Sequence, residues 1–214
     1  MAQGEPTAVK VFPKSKKEFP KKRPKGLYDD NLVCESCERR FAPYDDYGYK
    51  FLTNEAIEKG YSPEGLGLDA RFIDKFDYSK LKLYFLSTLW RASNTSNDFF
   101  QAVSVGSKFN NQLNQMIFNG KPGKQEDFSV IISEFKEENA RLAYPPPYKF
   151  KFGDRTFYRL IFGGFAVDIK VDSRPCKSKY QPIILAPNQR LIILKYSFED
   201  SYDYNQLFKR FGNQ

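Results

Sequence analysis

The chain contains no histidine, and that absence excludes more chemistry than any other feature of its composition. Ser-His-Asp and Cys-His catalysis both rely on an imidazole to carry a proton, so neither can be assembled, and no metal can be held by imidazole nitrogen. Cysteine is scarce as well, with Cys34, Cys37 and Cys176 the full complement. A low, odd count argues against a secreted disulfide framework and for reduced thiols. No apolar run approaches the ~20 residues that a membrane-spanning helix needs. No signal-peptide pattern precedes the first acidic residues either. These absences together predict a soluble, cytoplasmic protein with no membrane partner.

Aromatic residues are abundant, with 21 Phe and 14 Tyr among 214 residues, enough for one well-buried core and a small appendage. The net charge of +8 favours acidic partners, nucleic acid first. It is unevenly placed. Lys10, Lys14, Lys16, Lys17, Lys21, Lys22, Arg23 and Lys25 stand against a single acid, Glu18, and the remaining chain is close to balanced. Pro6, Pro13, Pro20 and Pro24 exclude a regular helix there, so residues 1–27 read as an extended basic arm, with Phe12 and Phe19 as anchors. Such an arm suits phosphates or an acidic protein, although a solvated basic leader has the same composition.

The paired cysteines follow in Asn31-Leu32-Val33-Cys34-Glu35-Ser36-Cys37-Glu38. A Cys-x-x-Cys turn beside a helical pattern is the shape of a zinc knuckle, but a structural zinc takes four ligands and one chain offers too few thiolates. Three options stay open. A carboxylate or Cys176 completes a zinc site, or a homodimer shares the metal with two thiolates from each copy, or the pair is metal-free and packs as small residues. A redox role lacks the surrounding βαβ pattern of thioredoxin-like proteins.

Beyond the cysteines, residues 28–214 read as one α+β domain, with a helical part over 38–122, a sheet part over 127–198 and a closing helix over 202–211. Helical spacing predicts a helix from Pro43 to Gly60, then a buried central helix over Tyr78 to Ala92 capped by Asp77, then a helix around Phe109 to Phe118. Arg91, in the last turn of the central helix, complements the helix dipole. Strand patterns cover Phe128 to Phe135, Thr156 to Phe162, Phe165 to Val171, Pro182 to Leu185 and Arg190 to Phe198. Short connections make an antiparallel sheet of about five strands the expectation, with Gly163-Gly164 as a hairpin turn. Ala143 to Phe152 contains three consecutive prolines and reads as a surface excursion.

Two further patterns carry chemistry. Asp154 precedes the Gly163-Gly164 hairpin and Asp168-Ile169-Lys170 lies in its second strand. Restriction-type nucleases use an Asp, then Asp/Glu-x-Lys on a neighbouring strand, to hold Mg²⁺ and position water. Alternation puts Asp168 and Lys170 on one strand face, which is equally the pattern of an ordinary solvent face. Tyr148, Phe150, Phe152, Phe157 and Tyr158, interleaved with Lys149, Lys151 and Arg159, suit either base stacking or a sheet whose aromatics face the core and whose cations face water.

The segment Gly26-Leu27-Tyr28-Asp29-Asp30-Asn31-Leu32-Val33-Cys34-Glu35-Ser36-Cys37 resembles the second half of the treble-clef zinc-knuckle unit of HNH-type bacterial proteins, and Tyr44-Asp45-Asp46-Tyr47 and Leu89-Trp90-Arg91-Ala92-Ser93 resemble a group of such proteins. The resemblance spans roughly Gly26 to Gly123. Members of that group begin with another Cys-x-x-Cys and a His-Ile-x-Pro element, both missing here, where the Lys/Pro-rich arm stands instead. The resemblance therefore implies a degenerate member without HNH-type cleavage. It implies nucleic-acid binding, or an accessory part in a phage-defence locus.

Overall fold

The computed structural model describes residues 9–11, 21–23, 32–56, 60–62, 69–142 and 144–208. Helices stacked on one face of a mixed six-stranded sheet make an α+β architecture, as the order of sequence patterns implied. The helices on that face are α1 (Glu35–Lys50), α2 (Tyr78–Asn94) and α3 (Gly106–Phe118). A separate two-stranded ribbon pairs β1 (Val9–Val11) with β2 (Lys21–Arg23). The main sheet contains β3 (Ala70–Ile73), β4 (Val130–Phe135), β5 (Tyr148–Phe152), β6 (Arg155–Phe162), β7 (Phe165–Lys170) and β8 (Leu191–Tyr196). Their spatial order is β3-β8-β4-β7-β6-β5. A final short helix, α4 (Tyr202–Phe208), lies within the closing helix expected over 202–211.

The sheet departs from five antiparallel strands in four ways. Strands β4 and β8 pair in parallel while every other neighbouring pair is antiparallel. Strand β3 is four residues long and sits between helical patterns, and its partner β8 lies more than a hundred residues downstream, so local periodicity gives it no signal. Strand β5 occupies the stretch read as a surface excursion. The prolines end at Pro147, and Tyr148 to Phe152 alternates inward aromatics with exposed Lys149 and Lys151, the pattern of a charge-protected edge strand. Conversely, Pro182 to Leu185 is not a strand. Pro182 lies in a 3₁₀ turn, Ser178–Ile183, and only Ile184 bridges to Ile131 on the sheet.

Helix α1 begins at Glu35 rather than at Pro43, which sits exposed inside it. A mid-helix proline loses one backbone hydrogen bond. The helix is held despite that loss by Phe41, 1% exposed, which meets Trp90 and Phe118 edge to face. The helix continues into a π-helical turn, Phe51–Glu55. Helix α2 is the central element, with Leu81, Phe85, Leu86 and Leu89 fully buried. Its start is fixed by the Asp77 carboxylate, which accepts from the Lys80 amide at 2.9 Å. Near its end Arg91 forms a two-pronged pair with Asp45 of α1 at 2.6 and 2.8 Å. Arg91 is thus a structural tie between helices. Gly48 allows their close approach, since a Cβ there would lie 2.1 Å from the Tyr84 ring.

The second face of the sheet is also covered. One small cluster, Phe135, Ala140, Ile161, Ala166 and Phe198, gathers Tyr204 of α4. Another, Ile131, Phe157, Cys176 and Ile184, gathers Tyr180 and Ile183 from the 3₁₀ turn. As a result all six residues of β7 are buried. The β6–β7 hairpin turns through Gly163 (φ 51°) and Gly164 (φ 93°), left-handed positions that only glycine adopts freely.

Candidate functional site

The first candidate is the basic segment. It is not one extended strand: β1 and β2 fold back into an antiparallel ribbon with Val9 opposite Arg23, Lys10 opposite Lys22 and Val11 opposite Lys21. Four of the six paired positions, Lys10, Lys21, Lys22 and Arg23, are cationic. Lys14, Lys16, Lys17 and Lys25 lie outside the described residues.

The second candidate is the cysteine pair. Cys34 is the N-cap of α1 and Cys37 lies in its first turn, with the amides of Cys37 and Glu38 both donating to the Cys34 carbonyl. The two Sγ atoms are 3.4 Å apart, and the Ser36 hydroxyl is 3.0 Å from Cys34 Sγ. Cys34 is exposed and Cys37 half-buried. Hydrogen bonding from the Ser36 side chain, then from the Cys37 amide, brings the Cys34 thiol down to about 7. Cys37 moves the other way because its own thiol proton is engaged by Cys34. Cys176 cannot join them. It is buried with Ile131 and Phe157 on the opposite face of the sheet from the helices. Among the described residues no third Cys, Asp or Glu gathers with the pair into a metal-binding group. Zinc completed by Cys176 within one chain is thereby overturned.

Asp154, Asp168 and Lys170 are not brought together. Asp154 sits on the exposed β5–β6 turn, paired with Arg155 and, at 3.6 Å, with Arg174. The cross-strand partner of Asp168 is Arg159, five positions further along β6, or about 17 Å at the usual rise of a strand. Asp168 and Lys170 do share a face, but that face is buried: they are 7% and 1% exposed. The solvent-face expectation fails because α4 and the segment after β7 pack there. Arg159 closes on Asp168 with two hydrogen bonds of 2.7 Å and reaches Asp203 of α4 at 2.8 Å. Tyr148 donates to the other Asp203 oxygen at 2.8 Å, and Tyr196 donates at 3.3 Å. Burial pushes Asp168 above the usual carboxylate range while the Arg159 guanidinium opposes that shift. Lys170 donates to the Arg174 carbonyl at 2.7 Å, and burial lowers its affinity for a proton.

This network is a tie between α4 and the sheet, with its carboxylates already taken up by a guanidinium. Arg159, expected to face water, is its hub. Neither Arg159 nor Asp203 was identifiable as a partner from sequence, because the contact spans 44 residues and depends on where α4 docks. The interleaved aromatics follow the core reading, with Phe157 and Tyr158 each 1% exposed.

A shallow cavity of about 300 Å³ opens between α3 and the end of the sheet, lined by Phe109, Gln112, Met116, Glu126, Asp127 and Asp172. Asp172 is held by Arg174 at 2.7 Å, which keeps it well below the usual carboxylate range. Behind the cavity Lys82, 1% exposed, donates to the Lys124 carbonyl at 2.5 Å and the Tyr78 hydroxyl at 3.1 Å, and burial lowers it to about 8. Among the described residues no helix is long and apolar enough to cross a membrane. Comparison with family models, curated proteins and solved structures returns no match.

Proposed function

We propose that the protein binds nucleic acid through its basic N-terminal ribbon and does not cleave it, acting as an accessory factor, with a phage-defence locus the setting implied by the HNH-type resemblance. The observation that supports this reading is the register of the ribbon. It sets Lys10 opposite Lys22 and puts cations at four of six paired positions, in the segment that holds nearly all of the chain's excess charge. A segment this rich in cations is matched in charge by a run of phosphates. A two-stranded ribbon also has dimensions that a major groove admits. The absence of histidine and the separation of Asp154 from Asp168 and Lys170 argue for binding without hydrolysis.

Deletion of residues 1–25 tests the reading. Binding to a labelled DNA or RNA duplex is followed by fluorescence anisotropy at several salt concentrations. The intact chain should show a steep decline with salt, and the deletion should lose most affinity and flatten the slope by ~0.9 for each phosphate contact removed from duplex DNA. Unchanged affinity in the deletion, or a pull-down that recovers an acidic protein and no nucleic acid, overturns it. Incubation with Mg²⁺ or Mn²⁺ and plasmid should leave the plasmid intact, and cleavage abolished by Asp168→Ala would restore the nuclease alternative. Native mass spectrometry reports whether copies associate and whether zinc is shared between them.

A further inference from the structure

The paired cysteines have a geometry that nucleic-acid binding does not use. Two thiols with Sγ atoms 3.4 Å apart need to close by only a little over an ångström to reach the ~2.05 Å of a disulfide. One of the pair is exposed and the other half-buried, so the two are unequal in access. The exposed sulfur sits at the N-cap of a 16-residue helix, where the backbone partial charge favours a thiolate.

We propose that Cys34 and Cys37 are a thiol–disulfide exchange pair, in which Cys34 attacks an accessible disulfide and Cys37 resolves the product. The Cys34 thiolate displaces one thiolate from the substrate disulfide and forms a mixed disulfide. Cys37 then gives its proton to solvent and attacks Cys34 Sγ, releasing the second thiolate. The two cysteines are oxidised to one disulfide, and the substrate disulfide is reduced to two thiols. The substrate class is a small or exposed disulfide, because Cys34 is open to solvent. Cys176, buried behind the sheet, takes no part and serves as an internal standard.

The test uses the full chain and oxidised glutathione at neutral pH, with peptide mass spectrometry after acid quenching. The wild type should accumulate a Cys34–Cys37 peptide lighter by two hydrogens and carrying no glutathione. Cys37→Ser should stop at one glutathionyl group on Cys34, and Cys34→Ser should react about tenfold more slowly at Cys37. Circular dichroism establishes that each variant is folded. Equal rates for the two single variants overturn the proposal. So does a wild-type pair that is inert until a chelator removes zinc, since bound metal and free exchange are incompatible. The outcome does not depend on whether the ribbon binds nucleic acid.

Discussion

Replacing Arg159 by methionine removes the cation that two carboxylates share. The side chains of Asp168 and Asp203 are 10% and 0% exposed, so neither can turn to water for compensation. Breaking a buried pair by deleting one partner costs about 3–5 kcal/mol. A second route gives the same size. An orphaned carboxylate escapes by taking up a proton, and holding one Asp neutral at pH 7 costs about 4 kcal/mol given its ordinary value near 3.9. At pH 5 that ceiling falls to about 1.5 kcal/mol. In the variant Asp168, pushed up by burial and no longer opposed by the guanidinium, has a folded-state affinity for protons above its unfolded one. Its contribution is therefore fully present at low pH and is lost as pH rises through the folded value. Arg159→Met should lose about 4 kcal/mol at pH 7, a large part of the 5–15 kcal/mol of a typical domain, and regain roughly half of it at pH 5. Urea denaturation followed by Trp90 fluorescence measures this. Trp90 is the single tryptophan and packs in the helical cluster on the far side of the sheet, so it reports global unfolding. A loss under about 1 kcal/mol, or a loss independent of pH, would mean that the network is hydrated and that Arg159 neutralises no buried charge.

Gly48→Ala should destabilise the protein by about 1–3 kcal/mol, although helix propensity alone favours alanine by roughly 1 kcal/mol, because the new methyl overlaps the Tyr84 ring; a raised urea midpoint would show that the ring moves aside freely. Lys82→Met should abolish a pH dependence of the wild type. Lys82 loses its proton near 8 when folded and near 10.5 when unfolded, so the unfolded chain binds more protons between those values and stability rises with pH there. The rise should be on the order of 2 kcal/mol up to pH 10, above which Tyr78, held neutral to about 12 in the fold, begins to act in the opposite direction. Parallel pH profiles for the variant and the wild type would refute that assignment.

Some of this protein was written locally in its sequence. The central helix from Tyr78 with its Asp77 cap, the helix ending at Phe118 and the Gly163-Gly164 hairpin depend on contacts within a few residues, which periodicity and turn chemistry report directly. The exclusion of imidazole chemistry and the concentration of positive charge in one segment follow from composition alone. What tertiary structure decided lies in long-range pairing. Strand β3 exists because β8 returns to it, β5 is a strand because β6 offers a partner beyond three prolines, and α1 runs through Pro43 because Phe41 has a core to enter. The acidic and basic residues of the sheet show the same division. Strand alternation placed Asp168 and Lys170 together, but whether that face met water or protein depended on α4, which brings Asp203 to Arg159 from 44 residues away. The cysteines divide in the same manner: spacing set Cys34 and Cys37 side by side, and only the fold put Cys176 behind the sheet, beyond their reach. Backbone preferences and charge are local quantities. Burial and partner choice belong to the whole chain, and they decided which of these residues remain available for chemistry.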